Sequence, residues 1–370
     1  MYELQSNDLK NLGQDRAVHF FRLLLWSEAS RVGIGRNLID VPSCINVGDG
    51  GLDSVIENAA PSSDDVIPSG FSGFQIKSSD LAPSDCKKEL HDRRKLSSPL
   101  KSEIRRLLDN DGTYILVLFA DTTPPKRNRR EEAIKKELLR MGYQNPKIRI
   151  YTANQVMGFA ARYPSIVVWL KGYPSDCLPY ERWAENRDVS KPRTFIPDDQ
   201  RRIIMNEIRD KLRNRIDSSS IFRITGLSGL GKTRLVFETL SPDDLRNGVV
   251  YVRAESFGNS ALFNTLILDE NIEGIVVVDE CSLREHDHLV RHFSGRGPRL
   301  TLITISPEAG DCPAPTLYYQ LKPLSNDNVK RLLSEEVEGL PQLVVERLAD
   351  FADGYPRAAV LLAESYLSDS

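Results

Sequence analysis

Eight consecutive residues carry the clearest chemistry in the sequence. Gly226, Leu227, Ser228, Gly229, Leu230, Gly231, Lys232 and Thr233 fit the pattern G-x-x-x-x-G-K-[ST]. Glycines at these spacings let the backbone fold tightly, so that its N–H groups face phosphates at a helix N-terminus. Lys232 would then reach the β- and γ-phosphates, and the Thr233 hydroxyl would bind Mg²⁺. The loop follows the strand-like Phe222-Arg-Ile-Thr225 and precedes the helical stretch Arg234–Leu240, which is the context the chemistry requires. The bland alternative is a glycine-rich turn without a ligand. Further along, Ile275, Val276, Val277 and Val278 lead into Asp279 and Glu280. A buried central strand accounts for the apolar part. The acids at its end are placed for two tasks: Asp279 to hold Mg²⁺ through water, and Glu280 to orient or deprotonate an attacking water.

A second set of residues lies near the N-terminus. Gly48-Asp-Gly-Gly-Leu-Asp53 leads into the strand-like Ser54-Val-Ile-Glu57, and a later strand holds Phe74-Gln75-Ile-Lys77. Gln75 and Lys77 are two apart and point to the same face of a strand. Taken singly, Gly48–Asp53 reads as a tight turn and Gln75–Lys77 as a half-exposed strand. Taken in order, they resemble the Mrr-like branch of PD-(D/E)xK nucleases, in which G-x-D opens one strand and Q-x-K replaces (D/E)-x-K on the next. The resemblance implies that Asp53 binds Mg²⁺, Gln75 contributes its amide oxygen and Lys77 sits beside the attacking water. Glu28 is the only carboxylate between Ala17 and Val32, and it falls on the apolar stripe with Phe21, Leu24 and Leu25. A carboxylate there is costly unless it meets a cation. The family often carries such a helix acid near the metal, which makes Glu28 a candidate catalytic residue; the alternative is the edge of the stripe, at the surface.

Double-stranded DNA as substrate needs a local basic surface, because the net charge is −3. Lys87, Lys88, Arg93, Arg94, Lys95, Lys101, Arg105 and Arg106 supply one immediately after the Gln75–Lys77 strand. Lys126–Arg140 is a second basic stretch, but its interleaved glutamates read equally as a solvated mixed-charge helix. The five histidines suggest no metal or triad site, and a surface placement is expected for them.

These residues need elements to position them. At 370 residues, 40% hydrophobic and 27% charged, the chain is long enough for two cores and too apolar for disorder. Five scattered cysteines without C-x-x-C predict neither a disulfide framework nor a zinc site, in keeping with a cytoplasmic protein. The apolar runs are strand-sized, so no membrane span is expected, and no secretory signal is read at the N-terminus. Residues 1–172 mix helices and strands. Residues 173–197, rich in proline and charge, read as linker. From 198 to 320 helices alternate with apolar strands, the pattern of a parallel sheet covered by helices. Residues 321–370 read as helices.

The second half resembles the STAND class of signalling ATPases, related to the AAA+ group. Leu321-Lys-Pro-Leu-Ser325 before an amphipathic helix looks like the start of the small helical lid subdomain. Gly354-Tyr355-Pro356 resembles the G-x-P motif of the class, which implies that Pro356 packs near the nucleotide base. One feature departs from the class: the strand after Asp279-Glu280 ends Ser306-Pro307, with no arginine to sense the γ-phosphate.

The combined expectation is an α/β chain: a restriction-endonuclease-like nuclease domain, then a P-loop NTPase domain with a helical lid. That arrangement resembles the Avs family of antiviral STAND proteins. The resemblance implies ATP and Mg²⁺ as cofactors and a phage protein as trigger. It also implies a homo-oligomer, taken as a tetramer, that brings nuclease domains together on DNA. Family members continue beyond the G-x-P helix into a sensor array, so this sequence is expected to be the N-terminal part of a longer protein. Two rivals stand beside this reading: an ATP-driven restriction enzyme for modified DNA, and a nucleotide-dependent scaffold that binds without cutting.

Overall fold

The computed structural model describes residues 4–40, 50–59, 66–171, 177–185, 194–214, 220–258, 260–297 and 299–368. Gly48 and Asp49 of the expected G-x-D stretch lie outside them. The chain divides into two units, residues 3–171 and 172–370. Among the described residues no helix is long and apolar enough to cross a membrane.

The first unit is built on a five-stranded sheet of β1 (Ile39–Asp40), β2 (Ser54–Ala59), β3 (Gly70–Lys77), β4 (Thr113–Leu118) and β5 (Lys147–Thr152), in that spatial order. β1, β2 and β3 pair antiparallel; β3, β4 and β5 pair parallel. β4 is buried along its whole length, as its run Tyr-Ile-Leu-Val-Leu requires of a strand covered on both faces. Strand alternation divides the core. Phe74 and Ile76 of β3 face one side, with Ile115 and Val117, under the helix Gln14–Arg31 through Phe21, Leu24 and Leu25. Tyr114 and Leu116 face the other side, under helices Ser102–Asp109 and Pro124–Arg140. Gln75 and Lys77 belong to this second face by the same alternation.

The second unit carries β6 (Cys177–Pro179), β7 (Ser220–Thr225), β8 (Val249–Arg253), β9 (Gly274–Asp279), β10 (Leu300–Ser306) and β11 (Leu317–Gln320). Their spatial order is β11-β7-β10-β9-β8-β6, with the first five parallel and β6 antiparallel at the edge. β10 is inserted between β7 and β9, so the connections leaving β7 and β10 diverge. The crevice at the carboxyl end of β7 is therefore a switch point, where α/β sheets bind ligands. Three helices, Asn326–Glu336, Gln342–Ala352 and Pro356–Ser368, close around a small core of their own that includes Val329, Leu333 and Ala359.

Three expectations change here. Residues 177–185 do not behave as linker. β6 pairs with β8, and the following helix, Tyr180–Ala184, buries Trp183 completely against the second sheet. Trp183 stacks on Tyr251, and Tyr180 stacks on Phe237. A proline- and charge-rich composition hid these aromatic anchors. Two of the five histidines, His91 and His286, are wholly buried rather than on the surface. Nor is Pro124–Arg140 a uniformly solvated helix. Its Glu137 is buried between His91 and Arg140, and Arg130 is buried with one guanidinium nitrogen donating to both Asp80 oxygens.

Candidate functional site

The phosphate-loop residues lie between β7 and the helix Lys232–Thr239. Gly226 has φ 138°, and a Cβ there would come within 2.8 Å of the Leu321 carbonyl, so only glycine lets the chain turn out of the sheet at this point. Lys232 is buried, and its Nζ donates to the Gly226 carbonyl at 2.7 Å and the Leu227 carbonyl at 3.0 Å. The ammonium thus lies folded under the loop that would receive phosphate. Burial lowers its pKa, and the nearby Asp279 carboxylate opposes that shift.

Asp279 ends β9 at the same edge. Its Oδ2 accepts from the Thr233 hydroxyl at 2.9 Å and from the Tyr251 hydroxyl at 3.1 Å, and its Oδ1 accepts from the Glu280 N–H at 2.8 Å. Burial raises the Asp279 pKa, and these hydrogen bonds work against it. A hydroxyl and a carboxylate in contact at a phosphate loop are hard oxygen donors, which suits Mg²⁺ bound mainly through a nucleotide's phosphates. The donor set therefore fits that ion. Among the described residues no group of three or more His, Cys, Asp or Glu side chains is arranged to hold a metal by itself.

The loop opens into a cavity of about 440 Å³, lined also by Glu280, Ser306, Pro307, Leu332, Pro356 and Val360. Pro356 thus stands in the cavity wall at the start of the last helix. Gly354 has φ 81°, and a Cβ there would meet the Leu324 carbonyl at 2.5 Å. The glycine lets the helical subdomain press against the Leu321–Ser325 segment, whose Leu324 N–H donates to the Gly354 carbonyl at 2.9 Å.

Several wall residues had no signal in the sequence. Thr194, Phe195 and Ile196 line the cavity from a segment read as linker. Arg201 is buried at the start of the helix Asp199–Arg213. It pairs with Asp198 at 2.6 Å and donates to the Leu230 carbonyl of the phosphate loop at 2.9 Å. Arg357 also reaches the loop, its N–H donating to the Gly229 carbonyl at 3.4 Å.

In the first unit, Asp53 precedes β2. Its backbone N–H donates to the Phe74 carbonyl at 2.8 Å, and its Oδ2 accepts from the Ile76 N–H at 2.6 Å. That anchors the carboxylate on the backbone of β3 beside Gln75. Gln75 is buried; its amide oxygen accepts from the Tyr114 hydroxyl at 2.5 Å, and its nitrogen donates to Glu89 at 3.1 Å. In this arrangement the amide oxygen that the nuclease resemblance assigns to a metal is turned to Tyr114.

Lys77 Nζ lies 3.1 Å from the same Glu89 oxygen, and Arg94 pairs with the other Glu89 oxygen at 2.7 Å. Glu89, which sequence reasoning passed over, is buried and is the group on which Gln75, Lys77 and Arg94 converge. The segment carrying it follows the short helix Pro83–Lys88 and has no strand or helix period to mark it. The Asp53 and Glu89 carboxylates are hard oxygen donors of the kind Mg²⁺ takes, whereas the Gln75 amide oxygen is held by Tyr114.

Glu28 does not join them. It is buried, but its partners are Arg31 at 2.7 Å, Arg162 at 3.3 Å and the Tyr163 hydroxyl at 2.9 Å. Gln14, at the other end of the same helix, donates to the Ile76 carbonyl at 2.7 Å. Fourteen residues of helix separate Gln14 from Glu28, about 21 Å at 1.5 Å per residue. The cation that its burial demands is an arginine pair, and the helix holds it on the face of the sheet opposite Gln75 and Lys77.

No family model matches the chain, and no curated protein matches it. Solved structures that resemble it do so weakly. PCH-2 of C. elegans is 15% identical with a TM-score of 0.37, over 53% of this chain and 68% of that one. A STAND protein with a tetratricopeptide repeat sensor from Pyrococcus horikoshii is 16% identical with a TM-score of 0.31, over 44% of this chain and 28% of that one. Cdc6p from Pyrobaculum aerophilum is 13% identical with a TM-score of 0.37, over 47% of this chain and 62% of that one. The chain thus spans less than two thirds of the latter two proteins. Likenesses at this level assign no activity, and the functional reading rests on the site itself.

Proposed function

We propose that the chain is an ATP-binding switch protein of the STAND type whose first unit is a Mg²⁺-dependent DNA endonuclease. The observation that carries the ATPase part is local. A buried lysine lies under a glycine-rich loop, and the next residue's hydroxyl is hydrogen-bonded to the strand-end Asp279, all at the mouth of one cavity. ATP bound there would have its phosphates against the loop N–H groups and Lys232, with Mg²⁺ between Thr233, Asp279 and the phosphates. Glu280 would orient the attacking water, and Pro356 would lie along the base.

The nuclease part is supported by Asp53, Gln75 and Lys77, which share one region of β2 and β3 with the buried Glu89. Arg93, Arg94, Lys95, Arg105 and Arg106 are exposed, with Arg94 paired to Glu89 and Arg106 to Glu57 and Glu103; Arg93, Lys95 and Arg105 are the cations offered to duplex phosphates. Bound Mg²⁺ would polarise the phosphodiester there, while Lys77 stabilises charge building on the phosphate. Antiphage defence, a phage protein as trigger and activation by assembly into a tetramer complete the reading.

The test is plasmid cleavage with Mg²⁺, with and without ATP and phage lysate, comparing wild type with Asp53→Ala and Lys232→Ala. Cleavage lost in both variants is expected. Cleavage that survives Asp53→Ala would defeat the nuclease assignment, and ATP-dependent assembly without any cleavage would favour the scaffold.

A further inference from the structure

Arg223 sits in the middle of β7 and is wholly buried. Its neighbours Phe222 and Ile224 belong to the core beneath the phosphate-loop helix, so Arg223 points to the other side of the sheet. Among the described residues it pairs with no carboxylate. Its Nη1 donates to the Cys281 carbonyl at 3.2 Å and lies 3.5 Å from the Thr304 hydroxyl, its Nη2 donates to the Glu308 carbonyl at 3.3 Å, and its Nε is buried without a hydrogen-bond partner among the described residues. A buried cation whose acceptors are all neutral is costly, and an apolar side chain would fill a sheet interior without that cost.

Its acceptors explain it. Cys281 and Glu308 lie in the two loops that leave the carboxyl ends of β9 and β10. Cys281 directly follows Glu280, whose φ of 55° is left-handed, a conformation that a glutamate keeps only when its surroundings enforce it. The enforcement comes from both sides. Asp279 Oδ1 accepts from the Glu280 N–H, while Cys281 donates its N–H to the Ile305 carbonyl at 2.9 Å and offers its carbonyl to Arg223. Glu308 follows Ser306 and Pro307, which line the same cavity as Glu280. Its carboxylate accepts from the Leu283 N–H at 2.8 Å, tying the two loops a second time.

We propose that Arg223 is a positioning residue for ATP hydrolysis, holding the Glu280–Cys281 turn against the loop after β10 so that the Glu280 carboxylate faces the phosphate end of the cavity. The claim rests on the ATPase reading above.

The experiment compares the wild-type chain, Arg223→Gln, Arg223→Lys, Glu280→Gln and the Arg223→Gln/Glu280→Gln double variant. Each is measured by calorimetric ATP titration and by single-turnover hydrolysis. Arg223→Gln should bind ATP within about threefold of wild type and hydrolyse it at least about tenfold more slowly, with partial recovery in Arg223→Lys. The double variant should be no slower than Glu280→Gln alone, because the two residues act as one unit. Unchanged hydrolysis in Arg223→Gln, equal loss of binding and hydrolysis, or additive effects in the double variant would overturn the proposal. So would failure of both Arg223 variants to fold, which would leave a purely structural role. A wild type that does not bind ATP would defeat the ATPase reading itself, and one that binds without hydrolysing would remove the role given to Glu280 and that of Arg223 with it.

Discussion

Replacing Lys232 by alanine removes the one side-chain cation that the phosphate loop folds beneath itself, and the structure sets the size of the effect. The ammonium donates to two carbonyls of the loop itself, at 2.7 and 3.0 Å. ATP binding therefore exchanges two neutral acceptors for anionic ones. A hydrogen bond to a charged group contributes about 1.5–3 kcal/mol. Two unit charges 4 Å apart interact by about 4 kcal/mol at the effective dielectric of a partly buried site. Allowing for the carbonyl contacts given up, the net loss in Lys232→Ala should be about 2–4 kcal/mol, or about 30- to 900-fold in Kd. The assay is calorimetric titration with ATP and, as control, with AMP, which lacks the β- and γ-phosphates. ATP affinity should fall by that factor while AMP affinity stays within about threefold. An ATP Kd that moves less than about threefold, or an AMP Kd that worsens as much as the ATP Kd, would refute the placement of Lys232 against the outer phosphates.

Two further predictions separate chemistry from structure. Glu28→Gln should lower the stability of the first unit by about 2 kcal/mol in urea unfolding, because it weakens the charged bonds to Arg31 and Arg162. It should leave DNA cleavage unchanged, whereas Lys77→Ala should abolish cleavage; a cleavage defect in a folded Glu28→Gln protein would return that residue to the site. The pKa of His286 is pushed down to about 4, by burial first and by Arg223 second. Its folded pKa lies below its unfolded value, so its contribution to stability is present above about pH 6.5 and is lost as pH falls toward 4. Between pH 7.5 and 4.5 the second unit should lose about 2–3 kcal/mol more in wild type than in His286→Gln, measured by urea unfolding at both pH values. Equal losses would mean that His286 takes up its proton in the folded state.

What the sequence determined by itself is whatever the backbone places at short range. Gly226 to Thr233 are contiguous, so the loop's shape and the two side chains at its end follow from local conformation and the flanking strand and helix. The same holds for Asp279 and Glu280 at the end of an apolar run, and for Gln75 and Lys77, which period-2 alternation puts on one face. The demand that Glu28 meet a cation was also legible, since burial of a lone carboxylate is costly anywhere. Which cation it meets was decided by tertiary structure: Arg162 and Tyr163 lie more than 130 positions away in the chain and arrive only when the turn between helices Ala153–Ala161 and Pro164–Lys171 packs against the helix Gln14–Arg31. Glu89 reaches Gln75 and Lys77, Arg201 reaches Leu230, and Arg223 reaches Cys281 and Glu308 in the same way, across elements and with no period to announce them. Trp183 and Ile196 show the converse, because a composition that reads as linker is overridden when a few aromatic and aliphatic side chains find a sheet and a cavity wall to pack against. Local backbone geometry depends on a few neighbouring residues and leaves a pattern in sequence. Long-range side-chain pairing depends on how sheets and helices close over one another, and only the folded chain determines it.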